Sequence, residues 1–206
     1  LTGSVRAGIA IGSQAGAALK KCVLELGGSD PFIVLTDADL DAAVQAAVIG
    51  RFQNSGQVCA AAKRLIIEAG VVDAFTAKFV EATRALVMGD PASANTYVGP
   101  MARFDLRDEL HGQVQATLEE GATLLLGGNK VAGAGNYYEP TVLANVTDQM
   151  TSFKQELFGP VASIITARDA EHAVALANDS EFGLTASIFT SDAAKARAIA
   201  DQLETG

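Results

Sequence analysis

Tryptophan is absent from the 206 residues, cysteine and histidine occur only twice each, and proline five times. Cys22 and Cys59 are too few for the disulfide framework of a small secreted domain. Cys22 lies in a strand-like run, Lys-Cys-Val-Leu-Glu-Leu, and no structural disulfide is expected. His111 and His172 fall in helical patterns with no partner at zinc-ligand spacing, so no metal site is expected. Basic side chains are outnumbered, 15 against 24 acidic, which gives a net charge of -9. They cluster no further than the pairs Lys20-Lys21 and Lys63-Arg64, which excludes a phosphate-backbone footprint and with it nucleic acid as a partner. No apolar run approaches the roughly 18 to 20 residues that cross a bilayer. The opening Leu-Thr-Gly-Ser-Val-Arg has no charged region followed by a continuous apolar one. The expectation is a cytoplasmic protein with no membrane partner.

What is present suits a packed core, since 49% of residues are hydrophobic and the length allows one domain or two small ones. Residues 5 to 20 read as a helix after the Thr2-Gly3-Ser4 turn, and Val23 to Leu26 as a strand closed by Gly27-Gly28. Phe32 to Leu35 reads as a second strand. From Asp39, the apolar residues Leu40, Ala43, Val44, Ala47, Val48 and Phe52 line one helical face, and Gly56 lies just beyond as a stop. Strands then fall near 63 to 68, 123 to 126, 138 to 143, 161 to 166 and 184 to 190, with helices near 72 to 86, 106 to 118, 170 to 178 and 193 to 203. This alternation predicts an α/β fold, a largely parallel twisted sheet with helices on both faces. The chain begins within what reads as the end of a strand and stops just after a helical pattern, as a segment of a longer protein would.

Three places carry candidate chemistry. Cys59 follows a helix end, in a loop, among Ser55, Gly56, Ala60, Ala61 and Ala62, which leave room for a substrate carbon. It reads either as a nucleophile, its thiolate favoured by helix ends and backbone N–H groups, or as an inert packing residue. Glu25 shares one side of its strand with Val23, opposite Leu24 and Leu26. On a strand covered on both faces it needs a partner and makes a good general base; at an edge it simply reaches water. Gly3 and Ser4 open the first helix, where backbone N–H groups can meet a phosphate, although Gly-Ser-Val-Arg-Ala-Gly is not a dinucleotide fingerprint.

The stretches Glu25-Leu26-Gly27-Gly28, Asn54-Ser55-Gly56-Gln57-Val58-Cys59 and Glu156-Leu157-Phe158-Gly159-Pro160, in this order and spacing, resemble the aldehyde dehydrogenase superfamily. The likeness runs essentially end to end. Through Leu24 to Leu40, Gly56 to Arg64 and Gly99 to Asp105 it is nearest the bacterial NAD(P)-dependent succinate-semialdehyde dehydrogenases. The resemblance implies that Cys59 attacks an aldehyde, that its backbone N–H helps hold the oxyanion, and that Glu25 activates water to release the acid. It implies NAD or NADP as cofactor, with Glu156 on the nicotinamide ribose, Phe158 beside the ring, Gly3 and Ser4 near the phosphates and the Leu26 carbonyl near the nicotinamide amide. Residues 1–26 resemble the tail of the cofactor-binding domain and 27–206 most of the catalytic domain of a homo-oligomer, so that residues 1–206 alone are expected not to turn over. Many enzymes with that substrate carry Arg where this chain has Gln53, and Arg51 is the nearby cation open to that role in principle. Coenzyme A in place of water as acceptor, another aldehyde, and a non-catalytic derivative of the fold are the alternatives.

Overall fold

A computed structural model describes residues 1–206. In chain order the elements are α1 (Val5–Ala17), β1 (Asp30–Val34), α2 (Leu40–Phe52), β2 (Ala62–Glu68), α3 (Val72–Arg84), α4 (Phe104–Glu119), β3 (Thr123–Leu126), β4 (Thr141–Ala144), α5 (Thr151–Lys154), β5 (Val161–Ala167), α6 (Ala170–Asn178), β6 (Ser187–Phe189) and α7 (Ala193–Ala200). The strands form one sheet in the order β3-β4-β5-β2-β1-β6, and every neighbouring pair is parallel except β3 with β4. No helix is long and apolar enough to cross a membrane.

The two-residue period of the strands sorts their side chains into two cores. Phe32, Val34, Leu65, Ile67, Ala162 and Ile164 face α2 and α3, where Phe52, Phe75 and Phe79 are fully buried and stack on one another. Ile33, Leu35, Ile66, Val161 and Ile165 face the opposite way, against Leu110 and Val114 of α4, Phe153 of α5, Leu176 of α6 and Ile199 of α7. Both faces are therefore covered, as the near-continuous apolar runs in β1 and β2 require of parallel strands. Asp39 starts α2 by accepting from the amides of Asp41 and Ala42 at 3.0 and 3.1 Å. Asp169 and Asp192 likewise cap α6 and α7.

One expected element does not form. Residues 23 to 26 make no strand of the sheet; they make a single bridge, Thr2 with Glu25, supported by Glu25 N–H to the Leu1 carbonyl at 2.8 Å and Gly3 N–H to the Glu25 carbonyl at 2.9 Å. Only α1 covers this ribbon, through Gly8 against Leu26 and Gly12 against Leu24. Val23 stays 71% exposed and Glu25 is exposed. The doubly covered strand expected around Glu25 is therefore replaced, in this chain, by an open edge held by one bridge. The strands expected near 138 and 184 start later, at Thr141 and Ser187.

Candidate active site

The site is assembled by a rule of parallel sheets: all strand starts lie at one edge. Gly27-Gly28 immediately precede β1, Cys59 precedes β2, and Glu156 to Pro160 precede β5. The strands β5, β2 and β1 are consecutive neighbours, about 4.8 Å apart in the hydrogen-bonding direction. The three motifs therefore meet at the amino-terminal edge, opposite the carboxyl-terminal edge that open α/β sheets commonly use.

Contacts between them are backbone-close. A Cβ on Gly28 would collide with the Cys59 carbonyl oxygen, and one on Gly56 with that of Gly159. Gly28 also donates its N–H to Glu156 Oε1 at 3.1 Å. Residues without a side chain are what permit this approach. Gly28→Ala is expected to push the Cys59 turn aside and lower the melting temperature, since the added Cβ meets a backbone oxygen that no side-chain rotation relieves. A thermal melt beside wild type checks it.

Cys59 itself is half-buried, in the turn between α2 and β2. The chain reaches it through three residues with positive φ, Asn54 at 53°, Ser55 at 55° and Gly56 at 71°. Two of these are not glycine and hold a sparsely populated conformation. They are retained by side-chain bonds: Asn54 Nδ2 donates to the Gln57 carbonyl at 3.1 Å, and Ser55 Oγ to the Gly99 carbonyl at 2.9 Å. Gln57 Oε1 accepts the Ala102 N–H at 2.8 Å, which ties the 99–102 segment to the same loop.

Three buried cations brace this edge. Arg51 is fully buried and donates to the carbonyls of Val161 at 2.5 Å, Leu157 at 2.8 Å and Gly159. Burial pulls its guanidinium down to about 9, opposed by Glu156. With its donors spent on backbone, Arg51 does not reach a substrate, which corrects the role open to it from sequence. Arg64 donates to the carbonyls of Ser29 at 2.8 Å and of Leu176 and Ala177 at 2.7 and 2.9 Å, satisfying acceptors at the end of α6. Lys63 donates Nζ to the carbonyls of Val58 and Cys59, both at 2.8 Å, and lies 3.3 Å from Glu156 Oε1. Burial, then the like charge of Arg51, lowers Lys63 to about 8, with Glu156 and Asp30 opposing. Asp30 is buried and accepts the Thr185 N–H at 3.1 Å; burial raises its carboxyl, opposed by the Thr185 bonds and by Lys63 and Arg64.

The remaining candidates fall in two groups. Glu156 and Phe158 are partly exposed at the assembled edge. Gly3 and Ser4 are exposed at the start of α1, where Ser4 Oγ accepts the Ala7 N–H at 3.3 Å. Leu26 packs on Gly8, and Glu25 projects from the open ribbon leading to Gly27-Gly28. Sequence reasoning missed Lys63, Arg64 and Asp30; the signal available was charge abutting the apolar runs Leu65-Ile66-Ile67 and Phe32-Ile33-Val34. Both cysteines are free.

The aldehyde dehydrogenase family model matches residues 1–206, and the chain belongs to that family. It is 71% identical over all its residues to succinate semialdehyde dehydrogenase [NAD(P)+] Sad of Escherichia coli K12, and 47% identical to succinate-semialdehyde dehydrogenase [NADP(+)] of Deinococcus radiodurans. It covers 45% and 43% of those proteins, so it spans under half the length of the curated relatives it matches. Lactaldehyde dehydrogenase from Escherichia coli superimposes with a TM-score of 0.97 at 41% identity, over the whole of this chain and 43% of the other.

Proposed function

We propose that the protein oxidises an aldehyde to its carboxylic acid with NAD or NADP, and that succinate semialdehyde is the substrate. The observation that carries this reading is the junction of the three motifs on Gly28, which touches the Cys59 carbonyl and donates to Glu156. The substrate rests on the relatives of that name.

In this reading the Cys59 sulfur bonds to the aldehyde carbon, and the Cys59 backbone N–H receives the oxyanion. Loss of hydride from that carbon would leave a thioester on Cys59, and a bound dinucleotide would supply the hydride acceptor. Glu25 takes a proton from water, the hydroxide adds to the thioester, and the acid departs as the C–S bond breaks.

The residues present fit a dinucleotide. The Glu156 carboxylate is 21% exposed with Oε1 fixed by the Gly28 N–H, which suits a ribose hydroxyl. Gly3 and Ser4 present the exposed start of α1, which suits a phosphate. Phe158 would pack by the nicotinamide, and the Leu26 carbonyl would accept from its amide. Residues 1–26 belong, in this reading, with the cofactor-binding part and 27–206 with the catalytic part of a cytoplasmic homo-oligomer. Residues 1–206 alone would then lack turnover.

Gln53 is exposed and uncharged, and Arg51 is engaged, so the distal carboxylate of the substrate must be met by donors from other segments. Kinetics of the full-length protein on succinate semialdehyde and on uncharged aldehydes of similar length, with each dinucleotide, test the reading. The expected preference is about ten-fold or more in kcat/KM, the worth of one charge-assisted hydrogen bond. Preference for uncharged aldehydes defeats the substrate; no dinucleotide-dependent oxidation at all defeats the enzyme.

A further inference from the structure

We propose that Lys63 is a positioning residue that couples Glu156 to the Cys59 turn, so that one buried ammonium fixes both the cofactor-facing carboxylate and the nucleophile's backbone. The inference rests on the reading of Glu156 as a dinucleotide contact and adds a residue to it.

Lys63 is the second residue of β2, and its side chain is fully buried at the strand start where an apolar residue would ordinarily pack. An ammonium has three donors and no acceptor. Here one reaches the Val58 carbonyl, one the Cys59 carbonyl and one Glu156 Oε1, at 2.8, 2.8 and 3.3 Å. The three acceptors belong to two of the motifs, and the third motif closes the circuit through Gly28 N–H to the same Oε1. A neutral donor could satisfy the two carbonyls; only a cation adds an ion pair to the bond the carboxylate already accepts from Gly28. Without that pair Glu156 keeps Gly28 alone and is free to turn toward solvent.

The charged groups facing the ammonium are Arg51 from α2, Asp30 from β1 and Glu156 from the segment before β5. Burial and Arg51 favour the neutral amine, while Glu156 and Asp30 favour the cation, and the balance falls at about 8. The cation is thus present below that pH and is lost as pH rises through it. Dinucleotide affinity should weaken over the same interval.

The test is equilibrium binding of NADH and NADPH, read by nicotinamide fluorescence, to the full-length protein from about pH 6.5 to about pH 9.5, an interval that brackets the Lys63 transition. Wild type, Lys63→Met, Glu156→Gln and the double variant are compared, with aldehyde oxidation by wild type measured alongside. The expected result at neutral pH is a dissociation constant raised about ten-fold in each single variant, the worth of one charge-assisted bond. The double variant should be no weaker than the weaker single, and the rise with pH seen in wild type should be absent from all three. A loss in Lys63→Met that adds in full to that of Glu156→Gln, or a Lys63→Met constant indistinguishable from wild type, overturns the proposal. So does a Glu156→Gln constant equal to wild type. Should Lys63→Met fail to fold, Lys63→Gln, which keeps donors for the carbonyls, and the wild-type pH series decide, and a flat wild-type series overturns it. Wild type that binds dinucleotide without oxidising aldehyde defeats the enzymatic reading while the coupling is still measured; wild type that binds neither dinucleotide defeats both.

Discussion

Cys59→Ser in the full-length protein is expected to lower aldehyde oxidation by at least about 10³-fold, because a hydroxyl without an adjacent base is a far weaker nucleophile than a thiolate. The change is nearly isosteric. It leaves the Cys59 carbonyl on Lys63 and the left-handed run at 54–56 untouched, so dinucleotide binding and the melting temperature should stay near wild type. Cys22→Ser is the internal control: Cys22 is exposed and free beside the open ribbon, and its replacement should leave turnover intact. Dinucleotide reduction followed at saturating aldehyde measures both variants. Activity retained by Cys59→Ser, or lost by Cys22→Ser, would move the nucleophile elsewhere.

Replacement of Arg51 by leucine is expected to destabilise the fold by about 3 kcal/mol or more, because three buried carbonyls are left without a donor at about 1–3 kcal/mol each. Leucine carries no donor, so the carbonyls of Val161, Leu157 and Gly159 lose theirs at a fully buried position. The same substitution unties the segment before β5 from the end of α2, so turnover should fall more than the folded fraction does. Chemical denaturation monitored with activity checks both parts. The contrast is Lys78→Met, which removes an exposed ion pair with Asp41; solvent already screens that pair, and no change in denaturation midpoint is expected. Equal effects from the two substitutions would mean that the buried guanidinium is not a brace.

Most of the architecture is legible because parallel strands covered on both faces and amphipathic helices write different periods into the chain. Phe32 to Leu35 and Leu65 to Ile67 are continuous apolar runs, whereas Leu40 to Phe52 repeats every three or four residues. Thr151–Lys154 is not legible, since a helix of one turn leaves no period. The antiparallel turn of β3 onto β4 is likewise unwritten, because the pairing depends on where Gly127 and Gly128 redirect the chain. At 23–26 the local pattern is that of a strand, but its surroundings are not those of a sheet interior: alternation predicts which side chains share a face, not whether anything covers that face.

The sequence by itself determined the family, the nucleophile candidate and the alternation of strands with helices, all of which are local or ordered along the chain. Only the tertiary structure decided which charges are internal. Arg51, Lys63 and Arg64 look like ordinary surface cations in one dimension, yet each ends on backbone carbonyl groups that folding brings to it, for Arg51 and Arg64 from segments far away in the chain. The reason is that, the Lys63–Glu156 pair apart, these cations end on backbone, which carries no residue identity and so leaves no trace in the sequence of the segment that supplies it.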